Sequence, residues 1–446
     1  MKKIILYISL VLFSISCQLT DVLENDPPNN LVPENVVSDE TDANALINGI
    51  YATITSRTNA YYYMYTETIP GGLAGTMSTG FGSINGQFND NDVKYDNIFV
   101  NNYWTIFNTV IDHANNAIAV IEEFPENEFE AYSKTELIGE ARYLRAMATF
   151  DALRYFGQFF DLNSSLGIIL RNDPVNFVNK DMPRSSVAEC YSRILDDLDF
   201  AIENAPDFTV TYRASKTSAK TLKAKVLLYQ GKYDEVVTLT DEIISDATRD
   251  LAPDYETVFS KGLDSEEMIF MTYRDETTDI DNNNRKRYYT GRKLTGWYTD
   301  LMIDDPREPY LFNGTLIAKT NNEDTFRPTY FLRLAQVYLM KAEALAFNGA
   351  TLEEIAEPLN IIRNRAEIGD SEATSIDEIK DDIFYEIARE LGFENGSVWF
   401  AAIRFGKIMD IKPTVTSSNQ YILPFPESEL LNNGALSLAD QNPGYE

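Results

Sequence analysis

The stretch from Gly139 to Gly157, GEARYLRAMATFDALRYFG, sets the tightest limit on what this chain can form. Leu137, Ala141, Leu144, Ala148, Ala152 and Tyr155 recur at intervals of three and four, which is one face of an α-helix. Tyr143, Met147, Phe150 and Leu153 make a second apolar face, so the helix needs neighbours on two sides. Alanines among the aromatics let those neighbours come close. Glu140, Arg142 and Arg145 sit on the same helix, and charges at that depth need partners. The expectation is a layered, mainly helical protein in which these three residues are structural ion pairs.

Further helical segments support that layering. Amphipathic helices are predicted at 41–55, 103–123, 185–205, 216–229, 233–245, 329–347, 352–366, 375–391 and 399–409, with Ser185 as the N-cap of the third. They pair as four hairpins: 43–55 with 103–123, 136–156 with 187–204, 216–229 with 233–245, and 330–347 with 352–366. Two helices and a tight turn in about 34 residues is the tetratricopeptide period. Stacked hairpins of this kind give a right-handed slab with a continuous core. Two long irregular regions interrupt the pattern, at about 57–101 and 258–314, both rich in aromatics. Long loops of that kind inside a domain tend to carry function.

The N-terminus reads as an export signal. Lys2 and Lys3 precede a short apolar run, Ile4–Ile15, too short to span a bilayer. Ser14-Ile15-Ser16-Cys17 follows and resembles a bacterial lipobox, with Ser14 where Leu is usual. The expected organisation is a signal peptide at 1–16, a lipidated Cys17 with a Pro-containing tether to residue 40, and one domain over 41–446. Several acyl chains on Cys17 would anchor the protein firmly, so the membrane is touched through lipid alone. The formal charge of −31, from 38 basic and 69 acidic residues, argues against nucleic acid, whose affinity comes from neutralised phosphates.

Little in the chain supports catalysis. His113 is the single histidine, which removes multi-histidine metal sites. No GxSxG elbow or GxxxxGK[ST] loop occurs. Asp279–Asn284 opens like an EF-hand loop, but Asn284 and Thr290 replace the Gly and Glu that such a loop requires. No metal or cofactor is therefore expected. The positive candidates are aromatic, because a sugar ring offers an apolar face that stacks on Tyr or Trp while its hydroxyls meet polar rim groups. Tyr61, Tyr62, Tyr65 and Asn91 in the first irregular region, and Tyr289, Arg292, Trp297 and Tyr298 in the second, have that mix.

The order of motifs resembles the SusD/RagB family of surface nutrient-binding lipoproteins. The resemblance rests on GEARYLRA (139–146), MPRSS (182–186), KTSAKTLKAKVLLYQGKY (216–233), YFLRLAQVYLMKAEA (330–344), LNIIRNRA (359–366), ILPFPESEL (422–430) and QNPGY (441–445). It implies a SusD-like fold and a non-enzymatic lid, lipid-anchored on the outer-membrane surface. Such a lid would capture a glycan and pass it to a SusC-like TonB-dependent transporter. Peptides are the alternative ligand, and a tetratricopeptide-type protein-interaction scaffold is a more distant reading. Arg333, Glu343, Arg363, Arg365 and Arg404, all within or near the shared motifs, are expected to be structural. The family pattern ER..EL.FEG.RWFDL.RWG reads EIARELGFENGSVWFAAIRFG here (386–406). Ile387, Val398 and Ala401 replace Arg, Arg and Asp, and Asn395 is inserted. Joint loss of both signs of charge predicts a repacked apolar contact, with Val398 and Ala401 buried.

Overall fold

The computed structural model describes residues 39–55, 66–78, 83–278, 286, 292–313 and 316–445. The signal, Cys17 and the tether lie outside them, as do Tyr61, Tyr62, Tyr65, Tyr289 and most of the EF-hand-like run. The principal helices are α1 (Glu40–Thr55), α2 (Ile98–Glu123), α3 (Lys134–Phe156), α4 (Val187–Asn204), α5 (Lys216–Tyr229), α6 (Tyr233–Ser245), α7 (Leu334–Phe347), α8 (Leu352–Arg365), α9 (Ile376–Glu390) and α10 (Ser397–Arg404). Each packs on the next from α1 to α7, with α7 also against α8 and α9, and α9 against α10. The four hairpins are formed as paired in the sequence.

α3 is the central element. Both of its apolar faces are buried, along with Glu140, Arg145, Asp151 and Arg154. The Arg145 guanidinium donates to both Asp197 carboxylate oxygens on α4, at 2.8 and 2.7 Å, and to Asn115 on α2 at 2.7 Å. Glu140 accepts from Arg213 at 2.7 Å and from the Tyr51 hydroxyl at 2.6 Å. Arg142 is at the edge of the layer, 3.7 Å from Glu122 and over the Phe200 ring. α3 thus ties its neighbours by polar pairs at places that helical periodicity alone leaves unassigned. Arg154, which helical periodicity does not single out, pairs with Asp151 and reaches Asn395 at 3.3 Å.

Local chemistry moved several boundaries. The N-cap of α4 is Ser186, not Ser185: its hydroxyl accepts from the Glu189 N–H, and the Glu189 carboxylate accepts from the Ser186 N–H. The Ser185 N–H is instead used by the Ile168 carbonyl. α7 starts at Leu334, because Tyr330–Arg333 is a strand paired antiparallel with Met268–Met271. The helix expected at 399–409 breaks between Arg404 and Ile408. Val398, Ala401 and Ile387 are buried in the repacked C-terminal contact. The inserted Asn395 is accommodated in a turn where Phe393, Asn395 and Gly396 all take positive φ.

A buried charge network fastens the second irregular region to the slab. Arg333 meets Glu267 and Glu390 at 2.6 Å each and Glu394 at 2.9 Å. Arg365 pairs with the same Glu267 and Glu390. Arg307 reaches Asp305 at 2.8 Å, Glu386 at 2.5 Å and Glu390 at 2.8 Å. Burial by itself would raise the Glu390 carboxyl, but Arg365, Arg333 and Arg307 outweigh it and hold it well below the usual carboxylate range. Arg363 lies 3.9 Å from Glu386 and donates to the Gly369 carbonyl, while Arg404 forms a two-point pair with Glu343 at 2.6 and 2.8 Å.

Candidate functional site

The two irregular regions meet at a short antiparallel seam. Met77 and Ser78 pair with Leu294 and Lys293. Just beyond, Thr295 donates its N–H to the Thr76 carbonyl at 3.2 Å, and the Trp297 indole N–H donates to the Ala74 carbonyl at 3.2 Å. The short helix Ile69–Ala74 ends at Gly75, whose φ of 69° is left-handed. A Cβ there would stand 3.1 Å from Lys412 and 3.3 Å from the Trp297 indole nitrogen, so Gly75 serves both the turn and the close approach. The Lys412 ammonium caps the Asn89 carbonyl.

Of the sequence-selected residues that are described, Trp297 is the one that lies part-exposed on this seam. Asn91, Arg292 and Tyr298 are buried beneath it. Asn91 takes a positive φ, donates to the Leu73 carbonyl at 3.1 Å and accepts from the Thr414 hydroxyl at 2.6 Å. The Tyr298 hydroxyl donates to the Ala388 carbonyl at 2.9 Å, and burial raises its pKa well above the ordinary phenol value. Gly392 allows that approach, since a Cβ on it would fall 1.9 Å from the Tyr298 oxygen. The Trp297 and Tyr298 rings meet edge to face at 5.6 Å. Asn91 and Tyr298 therefore brace the seam from inside, and Trp297 presents the ring surface.

A second concavity was not legible in the sequence. A cleft of about 340 Å³ opens between the end of α1, the 212–213 loop and the strand at 268–271. Tyr51, Phe270 and Phe331 form its floor, and Tyr212 and Tyr273 stand at the rim, edge to face at 4.9 Å. Its size and its apolar lining with a few polar groups fit a small-molecule pocket. The Arg213 guanidinium lies 5.0 Å from the Tyr51 ring and is fixed by Glu140. Burial pushes the Glu140 carboxyl up, against Arg213 and Tyr51, which stabilise its charge. A third, more polar cavity of about 490 Å³ adjoins the second irregular region, with Tyr310 beside Asn321, Asn322 and Arg327. Aromatic richness in loops was the available signal. It could not show that Tyr51 and Tyr212, one on a helix and one in a loop, would face Tyr273.

His113 is exposed, its Nδ1 2.9 Å from the Thr53 hydroxyl. Among the described residues no group of three or more His, Cys, Asp or Glu could hold a metal ion. Among them, too, no helix is long and apolar enough to cross a membrane.

Known proteins agree with this architecture. The model described as "Starch-binding associating with outer membrane" matches residues 21–228, and the model of the SusD family matches 207–410. SusD-like protein P2 of Formosa agariphila is 24% identical, with the whole of both chains covered. A SusD superfamily structure from Parabacteroides distasonis superposes with a TM-score of 0.78 at 21% identity, over 92% of this chain and 100% of that one. A structure described as a laminarin-binding SusD-like protein gives 0.75 at 20%, over 92% and 100%. With the helical slab, the motif order and two matching models that together run from residue 21 to 410, the chain belongs to the SusD/RagB family.

Proposed function

We propose that this protein is a lipid-anchored binding protein of the outer-membrane surface. It captures an oligomeric glycan and passes it to a SusC-like TonB-dependent transporter, with no chemistry of its own. The observation that carries the reading is the seam: it joins the two aromatic irregular regions and leaves the Trp297 ring part-exposed above a braced floor. A pyranose stacks on such a ring through its C–H face. The family match and the laminarin-binding relative support a glycan as the ligand. The outer-membrane wording of the matching model, the lipobox-like Ser14–Cys17 and the tether support the location. Tyr61, Tyr62, Tyr65 and Tyr289 are assigned as further contacts because they adjoin the seam in the chain.

The test is binding of a form starting at Gln18 to panels of polysaccharides and peptides. Wild type should bind a glycan, Trp297→Ala should lose about tenfold or more, and Trp297→Phe should keep most of it. Equal affinity of Trp297→Ala and wild type would remove the seam as the site. Peptide binding without glycan binding would change the ligand class.

A further inference from the structure

Lys225, on α5, is a buried cation without an acid to answer it. The residue is 4% exposed, and among the described residues its Nζ meets no hydrogen-bond partner. A lysine near a surface carries its ammonium out to water along its flexible stem. Here that route is closed, because Thr221, Leu222, Ala224 and Leu228 on the adjoining turns are buried as well. The charges nearby are committed to one another. On α3, Arg154 pairs with Asp151 and donates to the Tyr229 hydroxyl at 3.1 Å. On α10, Arg404 makes its two-point pair with Glu343 of α7 and lies 4.6 Å from the centre of the Tyr229 ring. Glu394, in the turn before α10, is held by Arg333 and Lys319. The cations Lys225, Arg154 and Arg404 thus share the acids Asp151 and Glu343, and one positive charge is left over. Burial, and after it Arg154, holds the Lys225 ammonium well below its ordinary pKa, the response of a cation that lacks a counter-charge.

The packing around Lys225 is not closed. A cavity of about 20 Å³ lies where α5 meets α7, α9 and α10. Lys225, Tyr229, Gln336, Glu343, Ser397 and Arg404 line it, among leucine, isoleucine and methionine side chains. A space of that size takes one water-sized particle. Phosphate, sulfate and carboxylates carry several heavy atoms and are too large for it. The polar lining is mostly spent: Ser397 donates its hydroxyl to the Glu394 carbonyl at 2.6 Å, and Arg404 and Glu343 hold each other. The Lys225 ammonium is the group left to bind something, and it offers donors only.

We propose that this cavity is a halide site, in which a single chloride ion beside Lys225 supplies the missing negative charge. A monatomic anion fits the volume, accepts from the ammonium and balances the three cations. A water molecule would meet the hydrogen-bond requirement but leave the buried charge uncompensated, which is costly away from solvent. The site is separate from the seam and shares no residue with it, so it stands apart from glycan capture.

Two measurements on the Gln18 form test it. The first is crystallographic: crystals grown or soaked in sodium bromide should show an anomalous bromide peak in hydrogen-bond contact with the Lys225 Nζ. The second is the thermal midpoint in sodium chloride against sodium gluconate at equal ionic strength, gluconate being too large to enter. Chloride at ten to a hundred times its Kd should raise the wild-type midpoint by about 1–3 °C. Lys225→Met keeps the length and bulk of the side chain without its charge, and it should abolish the difference between the two salts. No bromide at Nζ, equal wild-type midpoints in the two salts, or a chloride shift that Lys225→Met retains would each overturn the proposal. Should Lys225→Met fail to fold, the bromide map and the wild-type midpoints decide it.

Discussion

Arg333→Met tests the claim that buried charges, not apolar packing alone, fasten the second irregular region. Arg333 is fully buried, as are Glu267 and Glu390, and its guanidinium also donates to Glu394 and to the Glu390 carbonyl. Charged hydrogen bonds contribute about 1.5–3 kcal/mol each, but bonds sharing one group are not additive. Removing one member of a buried pair costs about 3–5 kcal/mol, chiefly because the partners stay charged and buried. We expect about 4 kcal/mol here, since Arg365, Arg307 and Lys319 still face the carboxylates. For a chain of 446 residues the unfolding entropy is roughly 0.9 kcal/mol/K, so the midpoint should fall by ~4 °C. The pH dependence gives the decisive signature. Glu390 and Glu394 have folded pKa values below their unfolded ones, despite burial, because of their cationic partners. Their contribution is therefore complete above the unfolded value of about 4.3 and is lost as pH falls through the folded value. Arg333→Met weakens that depression, so the gap between variant and wild type should be widest near pH 7 and narrow on acidification. Urea and thermal midpoints followed by circular dichroism from pH 7 down to about pH 2.5, through the range below the unfolded value, would measure it. A gap below about 1 kcal/mol at pH 7, or one that does not narrow, refutes the reasoning.

Other outcomes follow from single contacts. Gly392→Ala should destabilise by about 1–3 kcal/mol through the clash with the Tyr298 hydroxyl, and Tyr298→Phe in the same chain should recover part of it in urea midpoints. Cys190 is buried, and burial pushes its thiol up to about 11, so in the Gln18 form a disulfide reagent at pH 8 should label it orders of magnitude more slowly than after unfolding. Tyr51→Phe leaves the Ala214 N–H without its 2.7 Å acceptor and takes from Glu140 one of its donors, with Arg213 still in place, and should cost about 1–3 kcal/mol in the same midpoints.

The sequence by itself determined the helices, their hairpin pairing and the family. Period, caps and turns act within a few residues, so α5 and α6 sit where the apolar pattern puts them. It also marked Glu140, Arg142 and Arg145 as charges in need of partners, because the helix that carries them is apolar on two faces, and the family resemblance marked Arg333 and Arg404 as structural. What it could not give was each partner. Arg145 with Asp197, or Arg333 with Glu267 and Glu390, join positions dozens of residues apart, and nothing local selects one acid among 69. The same limit applied to strands: Tyr330–Arg333 reads as the first turn of a helix until Met268–Met271 arrives to take its backbone bonds. It applied to the site as well. Only the fold decided that Asn91 and Tyr298 would be bracing and Trp297 surface. Only the fold brought Tyr51, Tyr212 and Tyr273 into one cleft, because burial and juxtaposition are properties of the packed chain.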